Sequence, residues 1–321
     1  MPNDRRMSPI GASPTAIWIR LSVFLAPVLL FVWLPVYLID PYGLFSKASI
    51  VPDGVRHESA TRVNHVLLGI ISFARHPTPD ILLGDSQMNH FKVAEIEAVT
   101  HRPSSNLSYG GGTLAESIAT FWYAASTVKL ERVYFGISFY SFTDNARNRV
   151  GAAVRIVDNP LAYFVSGDVL QAAWDDLAAQ YLHRQVTYGP GVDAVVFWGR
   201  QLAELARRKQ TYPATERTLA KLREIVRYCR THGIEFYFVI PPEHEDVRRR
   251  IVELGMAEQY AAFKATVAAL GTTYDCDIAN DITRDAANFQ DPFHTTLAAG
   301  SMLTKSIFSD RHEWCDVRMA H

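Results

Sequence analysis

The sequence predicts an α/β fold: a five-stranded parallel sheet with helices on both faces, behind one membrane-spanning helix. Three observations carry this. Short apolar runs alternate with helical patterns down the chain. The run at residues 132–137 is almost continuously apolar, as a strand buried on both faces should be. Residues 21–39 contain no charged side chain across 19 positions.

That uncharged stretch comes first in the chain. As a helix it would measure about 28 Å, close to the ~30 Å hydrocarbon core of a bilayer. Trp18, Trp33 and Tyr37 stand near its ends, and Pro27 and Pro35 are better tolerated in a bilayer than in a soluble helix. Arg5, Arg6 and Arg20 precede it, so the tail of residues 1–20 should stay cytoplasmic while the bulk crosses. A cleaved signal peptide is the competing reading. Against it, the run is long for such a segment, and Asp40-Pro41-Tyr42 follows it rather than a small-residue cleavage site.

The rest suits one large domain. With 48% hydrophobic and 20% charged residues, the chain can bury a core, which excludes general disorder. A net charge of -1 argues against a nucleic-acid partner held through phosphate neutralisation. Of three cysteines, Cys276 and Cys315 lie in the C-terminal part and are the first candidates for a disulfide, while Cys229 falls in a helical pattern as a buried thiol.

Residues 40–78, punctuated by proline, read as a membrane-proximal linker with a helix over 62–73. Strands are expected at 80–83, 103–107, 132–137, 234–240 and 273–278. Helices are expected at 91–99, 114–126, 216–231, 247–254, 258–270 and 296–308. Thr113 with Glu116 has the spacing of a capping box. Residues 143–212 are too long for a strand-to-helix connection. They read as an insertion over the crevice, with helices at 169–182 and 194–208 around Tyr188-Gly189-Pro190-Gly191. The domain then covers 79–310, with 311–321 as a tail.

The chemistry gathers at strand exits. Ile81-Leu82-Leu83 runs into Gly84-Asp85-Ser86, which presents a hydroxyl where a buried strand ends. Far downstream lies Asp291-Pro292-Phe293-His294. A serine becomes a nucleophile when an imidazole takes its proton and a carboxylate holds that imidazole. Ser86, His294 and Asp291 are the candidates, and the Asp-x-x-His spacing suggests the start of a helical turn. For the oxyanion, the Ser86 N–H and a backbone N–H of Gly110-Gly111-Gly112 are available. Asp85, Gln87, Tyr140 and His244 are the candidate substrate contacts. Arg147 and Arg149 could meet an anionic or sugar substrate, though solvated surface is the simpler reading. His312 and Cys315 lack two further ligands for zinc. There is no P-loop, dinucleotide fingerprint or HExxH, so no cofactor or metal is implied.

Gly84-Asp85-Ser86 and Asp291-x-x-His294 resemble the first and last blocks of the SGNH (GDSL-type) hydrolase superfamily. Gly300 and the helix after His294 match its ending. The resemblance implies a three-layer αβα sandwich with a flavodoxin-like sheet. The spacing Asn106-x-x-x-x-Gly111-x-Thr113 implies Gly111 as the second oxyanion donor. The family usually places Gly-x-Asn-Asp after the third strand; here the text is Gly136-Ile137-Ser138-Phe139-Tyr140, without the asparagine. Ser138, Tyr140 or Asn106 would have to supply the third donor.

In layout the chain is similar to membrane-anchored bacterial envelope proteins of alginate O-acetylation and lipoteichoic-acid D-alanylation. That similarity implies a periplasmic domain on the inner membrane, beside a membrane-bound O-acyltransferase, moving an acyl group through Ser86 to a polysaccharide hydroxyl. An esterase or deacetylase with the same three residues, and a non-catalytic scaffold or glycan-binding protein, are the alternatives.

Overall fold

The computed structural model describes residues 14–45, 49–182, 193–208, 215–309 and 312–319. Arg5, Arg6 and Tyr188-Gly189-Pro190-Gly191 lie outside them. The chain divides into two units, residues 1–63 with 159–185 and residues 64–158 with 186–321.

The first unit begins with α1 (Pro14–Val28), a π-helical turn over Leu29–Trp33, and α2 (Leu34–Ile39). Trp18–Ile39 is long and apolar enough to cross a membrane, and a signal sequence would share those features. The helix stops at Asp40, which takes a left-handed φ of 46°. Its buried carboxylate accepts the N–H groups of Leu44 (2.8 Å) and Phe45 (2.9 Å) and the Tyr163 hydroxyl (2.9 Å). Much of the stretch expected as linker is instead α3 (Asp53–Arg75), interrupted at the non-helical Asn64, where the first unit gives way to the second.

The second unit holds the sheet. Its strands are β1 (Asp80–Gly84), β2 (Ser104–Ser108), β3 (Arg132–Gly136), β4 (Glu235–Ile240) and β5 (Thr273–Asp275), with a hairpin β6 (Phe289–Asp291) and β7 (His294–Thr295), and β8 (Asp316–Arg318). The helices are α4 (Val93–Thr100), α5 (Leu114–Thr127), α6 (Val150–Asp158), α7 (Pro160–Phe164), α8 (Gly167–Tyr181), α9 (Ala194–Arg208), α10 (Glu216–Thr231), α11 (Glu245–Glu253), α12 (Ala257–Leu270), α13 (Asp281–Arg284) and α14 (Leu297–Phe308). Of these, α7 and α8 belong to the first unit.

Among the described residues the main sheet has six strands in the order β2-β1-β3-β4-β5-β8 and is mixed. The five expected strands pair in parallel, but β8 adds an antiparallel edge, which corrects the purely parallel five-stranded expectation. Side chains alternate as strand geometry requires. Ile81 and Leu83 join a core with Phe135, Phe238 and Phe263, while Leu82 joins Tyr134, Val239 and Ile307 on the other face. Both faces of β1 are therefore buried, which explains its uninterrupted apolar run. The capping box at Thr113 is present: its hydroxyl accepts from Glu116 N at 3.1 Å, and Glu116 returns the bond at 3.0 Å.

The edge strand β8 is short and polar, so other contacts hold it. Arg318 pairs with the buried Asp275 at 2.8 Å, and a Cys276–Cys315 disulfide joins the ends of β5 and β8. The bridge spans 39 residues. Loop-closure entropy for that length gives about 3–4 kcal/mol. Cys315→Ser should therefore lower the melting temperature by several degrees in calorimetry, and reductant should do the same to the parent. An unchanged melting temperature would show that β8 holds without the bridge.

In the first unit, Asp176 on α8 is fully buried. Burial pushes its carboxyl up to about 6, against the opposing Ser59 hydroxyl and Arg56 charge. A raised folded-state value favours the protonated fold. Stability is then lost as pH rises through that range, by about 3 kcal/mol once the group is ionised. Asp176→Asn should gain on the parent in melting temperature between pH 5 and pH 8. A pH-independent difference would contradict the shift.

Candidate active site

β1 delivers the serine. Gly84 takes φ +146°, and a Cβ there would sit 2.6 Å from Met88 Cγ, so only glycine lets the chain turn at this point. Asp85 then caps the 3-10 turn Ser86–His90, its Oδ1 accepting from Gln87 N at 3.0 Å. A Cβ on Gly300 of α14 would meet His90 O at 2.8 Å, so the last helix packs directly on this turn.

The hairpin β6–β7 delivers the other two groups. Asp291 pairs with His294 across it. The Asp-Pro-Phe-His segment is thus a tight β-turn rather than the start of a helical turn; α14 begins only after Thr296 caps it. Asp291 Oδ1 accepts from the N–H groups of Phe293 (2.9 Å) and His294 (3.1 Å), which fixes the carboxylate. His294 Nδ1 lies 2.8 Å from Asp291 Oδ2, and His294 Nε2 lies 2.7 Å from Ser86 Oγ. The three side chains therefore stand in the order carboxylate, imidazole, hydroxyl, across 208 residues of sequence.

Electrostatics suits that order. Burial disfavours the His294 imidazolium, but the hydrogen bond and charge of Asp291, with Asp85 beyond, win and raise its pKa above the ordinary imidazole value. Burial likewise opposes ionisation of Asp291, and the His294 bond and backbone N–H groups overcome it, so its pKa is lowered. The imidazole of His90, with its ring centroid 6.0 Å from that of His294, is held below the ordinary value by burial and by His294.

The serine opens on a cavity of about 350 Å3, within the usual size range for small-ligand pockets. Asp85, Gln87, Gly111 and Tyr140 line it. Gly111 has φ +58°, and its N–H has no acceptor among the described residues, whereas the Gly112 N–H is used by Tyr109 O at 2.7 Å. Of the two glycines that line the cavity, Gly111 is thus the one with a donor to offer an oxyanion. Gln87 reaches the buried Glu243 at 3.1 Å, whose carboxyl is pushed well above the ordinary carboxylate value by burial and by the charge of Asp277. Asp85 is also raised by burial.

Three expected contacts fall elsewhere. Asn106 spends both amide hydrogens on Met88 O (2.9 Å) and Phe91 O (3.0 Å), so it braces the serine turn and has no hydrogen left for an oxyanion. Ser138 is buried, and its hydroxyl lies 3.3 Å from Asp85 Oδ2 and 3.0 Å from Ser141 Oγ; it steadies Asp85 and does not line the cavity. His244 is also buried away from it. It caps α11 by accepting Asp246 N at 3.2 Å, and its ring packs against Trp198 and Phe289. Arg149 is committed to Glu116 at 2.7 Å. Arg147 does line the cavity and bonds to Gly111 O.

The sequence reading missed Thr143, Asn145 and Gln201, which also line the cavity. Thr143 and Asn145 lie in the loop after β3, and Gln201 is on α9. Only their position after a strand exit or within the long β3–β4 connection could have pointed to them. Among the described residues no group of side chains has the makings of a metal site.

No protein-family model and no curated protein matches this chain. Among solved structures it is similar to one from Streptococcus pneumonia, provisionally described as a platelet activating factor. The identity is 12% and the TM-score 0.34, over 78% of this chain and 89% of that one.

Proposed function

We propose that this chain is a serine acyltransferase of the SGNH type, acting outside the cytoplasmic membrane on an exopolysaccharide or another envelope glycan. The observation that carries the reading is His294 Nε2 at 2.7 Å from Ser86 Oγ, with Asp291 at 2.8 Å on the other ring nitrogen. Ser86 Oγ attacks the donor's ester carbonyl as its proton passes to His294 Nε2. The Ser86 and Gly111 N–H groups meet the oxyanion, and His294 returns the proton to the departing oxygen. A sugar hydroxyl then attacks the acyl-Ser86 carbonyl. His294 takes that hydroxyl's proton and gives it to Ser86 Oγ as the carbon–oxygen bond breaks. Arg147 anchors the Gly111 carbonyl, which supports the glycine loop where the family's Gly-x-Asn-Asp block is missing.

Two further observations support the setting. The apolar helix Trp18–Ile39 would tether the domain to the inner membrane, and the Cys276–Cys315 bridge suits an oxidising compartment such as the periplasm. A membrane-bound O-acyltransferase would be the natural source of the acyl group there. Hydrolysis by the same residues is the second reading. The His294 side chain keeps 25% of its surface exposed, so water can reach the position a sugar hydroxyl would take.

The test uses the full chain in detergent with p-nitrophenyl acetate and a fluorophosphonate. Acyl release that rises with added glycan, with acetylated glycan found by mass spectrometry, supports transfer. Equal release in water alone points to the esterase. Absence of both release and Ser86 labelling would end the catalytic reading.

A further inference from the structure

The catalytic cavity meets a second and larger one, of about 510 Å3, and the two share Thr143 and Asn145 as common wall. This groove runs between α5 and the start of α10. Trp122 lines it, and its indole crosses Phe121 and Tyr228 nearly at right angles, with ring centroids 5.0 and 5.1 Å away. Asn145 and Asn148 use Oδ1 to accept the N–H groups of Arg147 (3.1 Å) and Val150 (3.0 Å). Their amide NH2 groups have no partner among the described residues.

Arg217 and Lys221 follow on one face of α10, four residues apart. Both are exposed, and neither forms a salt bridge among the described residues. Asp144 also lines the groove, but its carboxylate is taken by the Thr215 N–H at 3.1 Å and the Thr218 hydroxyl at 2.5 Å. Glu224 is the other acid there, so the groove carries both signs and no strong net charge.

An aromatic ring beside a row of N–H donors matches one ligand chemistry. A pyranose ring stacks its C–H face on an aromatic surface, and its hydroxyls accept hydrogen bonds. We propose that this groove holds the glycan strand that carries the acceptor hydroxyl, so that sugars next to the reacting one rest on Trp122 and accept from Arg217, Lys221 and the two asparagines. The proposal rests on the acyltransferase reading for the term acceptor, but binding itself can be measured without turnover.

The experiment is calorimetry on the full-length Ser86→Ala protein in detergent, with cello-oligosaccharides and oligogalacturonates of one to six sugars. Affinity in one series should rise at least tenfold between two and five sugars. An Arg217→Ala/Lys221→Ala pair and, separately, Trp122→Leu should each weaken the longer oligomers at least fivefold and leave the monosaccharide unchanged. The acidic series winning would mean the two cations read charge; the neutral series winning would mean they act as hydrogen-bond donors. Trp122 packs partly on the core, so the exposed cation pair carries the test if Trp122→Leu does not fold. The groove proposal is overturned by no binding in either series, by affinity independent of length, or by affinity indifferent to the cation pair. Phosphonylation of Ser86 in the parent separates the two readings. A labelled serine without oligosaccharide binding ends the groove proposal alone, and oligosaccharide binding with neither labelling nor acyl release ends the catalytic one alone.

Discussion

Ser86→Ala should remove fluorophosphonate labelling and lower ester turnover on the order of a million-fold, the scale seen when a nucleophile is taken from such a trio. The variant should fold. Ser86 is half-buried at the cavity, its Oγ meets His294 Nε2 at 2.7 Å, and a partly exposed imidazole can bond to water once the hydroxyl is gone. The serine turn keeps its other supports: Asp85 on Gln87 N, Asn106 on Met88 O and Phe91 O, and α14 packed at Gly300. Melting temperatures should therefore agree within about 2 °C. His294→Ala should lose a similar factor, because the three residues act as a unit and single losses do not add. Turnover by Ser86→Ala within tenfold of the parent would leave the 2.7 Å contact without a catalytic role.

The sequence made some of this legible because the physics is local. Ile81-Leu82-Leu83 before a Gly-Asp-Ser corner marks a two-face-buried strand with a hydroxyl at its exit, and the structure places Ser86 there. Helix α10 has the bounds its pattern suggested, since it carries its own periodicity and stop signal. What escaped was set by partners distant in sequence. β8 has one apolar residue, Val317, and becomes a strand because a disulfide and the Arg318–Asp275 pair hold it against β5. β5 ends at Asp275, three residues short of the expected limit, as the next residue enters that bridge. Asn106, Ser138 and His244 carry polar chemistry and sit near strand exits, so composition alone could not tell an oxyanion donor or a substrate contact from a brace. Each proves to be spoken for by its neighbours: two loop carbonyls, the cavity-lining Asp85, and a helix terminus.

Asp291→Asn should reduce kcat roughly ten-thousand-fold with little change in KM, and the geometry gives the reason. Oδ1 of Asp291 accepts two backbone N–H groups, from Phe293 and His294, so an amide at this position must place its oxygen there. Its NH2 then occupies the Oδ2 position, 2.8 Å from His294 Nδ1. Nδ1 is forced to accept, the ring proton moves to Nε2, and the nitrogen facing Ser86 can no longer take the hydroxyl proton. The pH profile should move as well. Burial lowers the His294 pKa, and Asp291 is the main group that lifts it back above the ordinary imidazole value. The parent's acid limb should thus lie above the usual imidazole midpoint, and the residual activity of Asp291→Asn should begin at lower pH. Linkage gives an independent readout. His294, raised in the fold, contributes stability below its unfolded pKa and loses it as pH rises through the folded one. Asp291, lowered in the fold, contributes above its unfolded pKa and loses it as pH falls. The pair therefore stabilises most between the two, so the stability gap between parent and variant should be widest at mildly acidic pH and narrow on either side. A variant with more than a tenth of parental kcat, or an acid limb that stays in place, would show that Asp291 does not set the tautomer of His294.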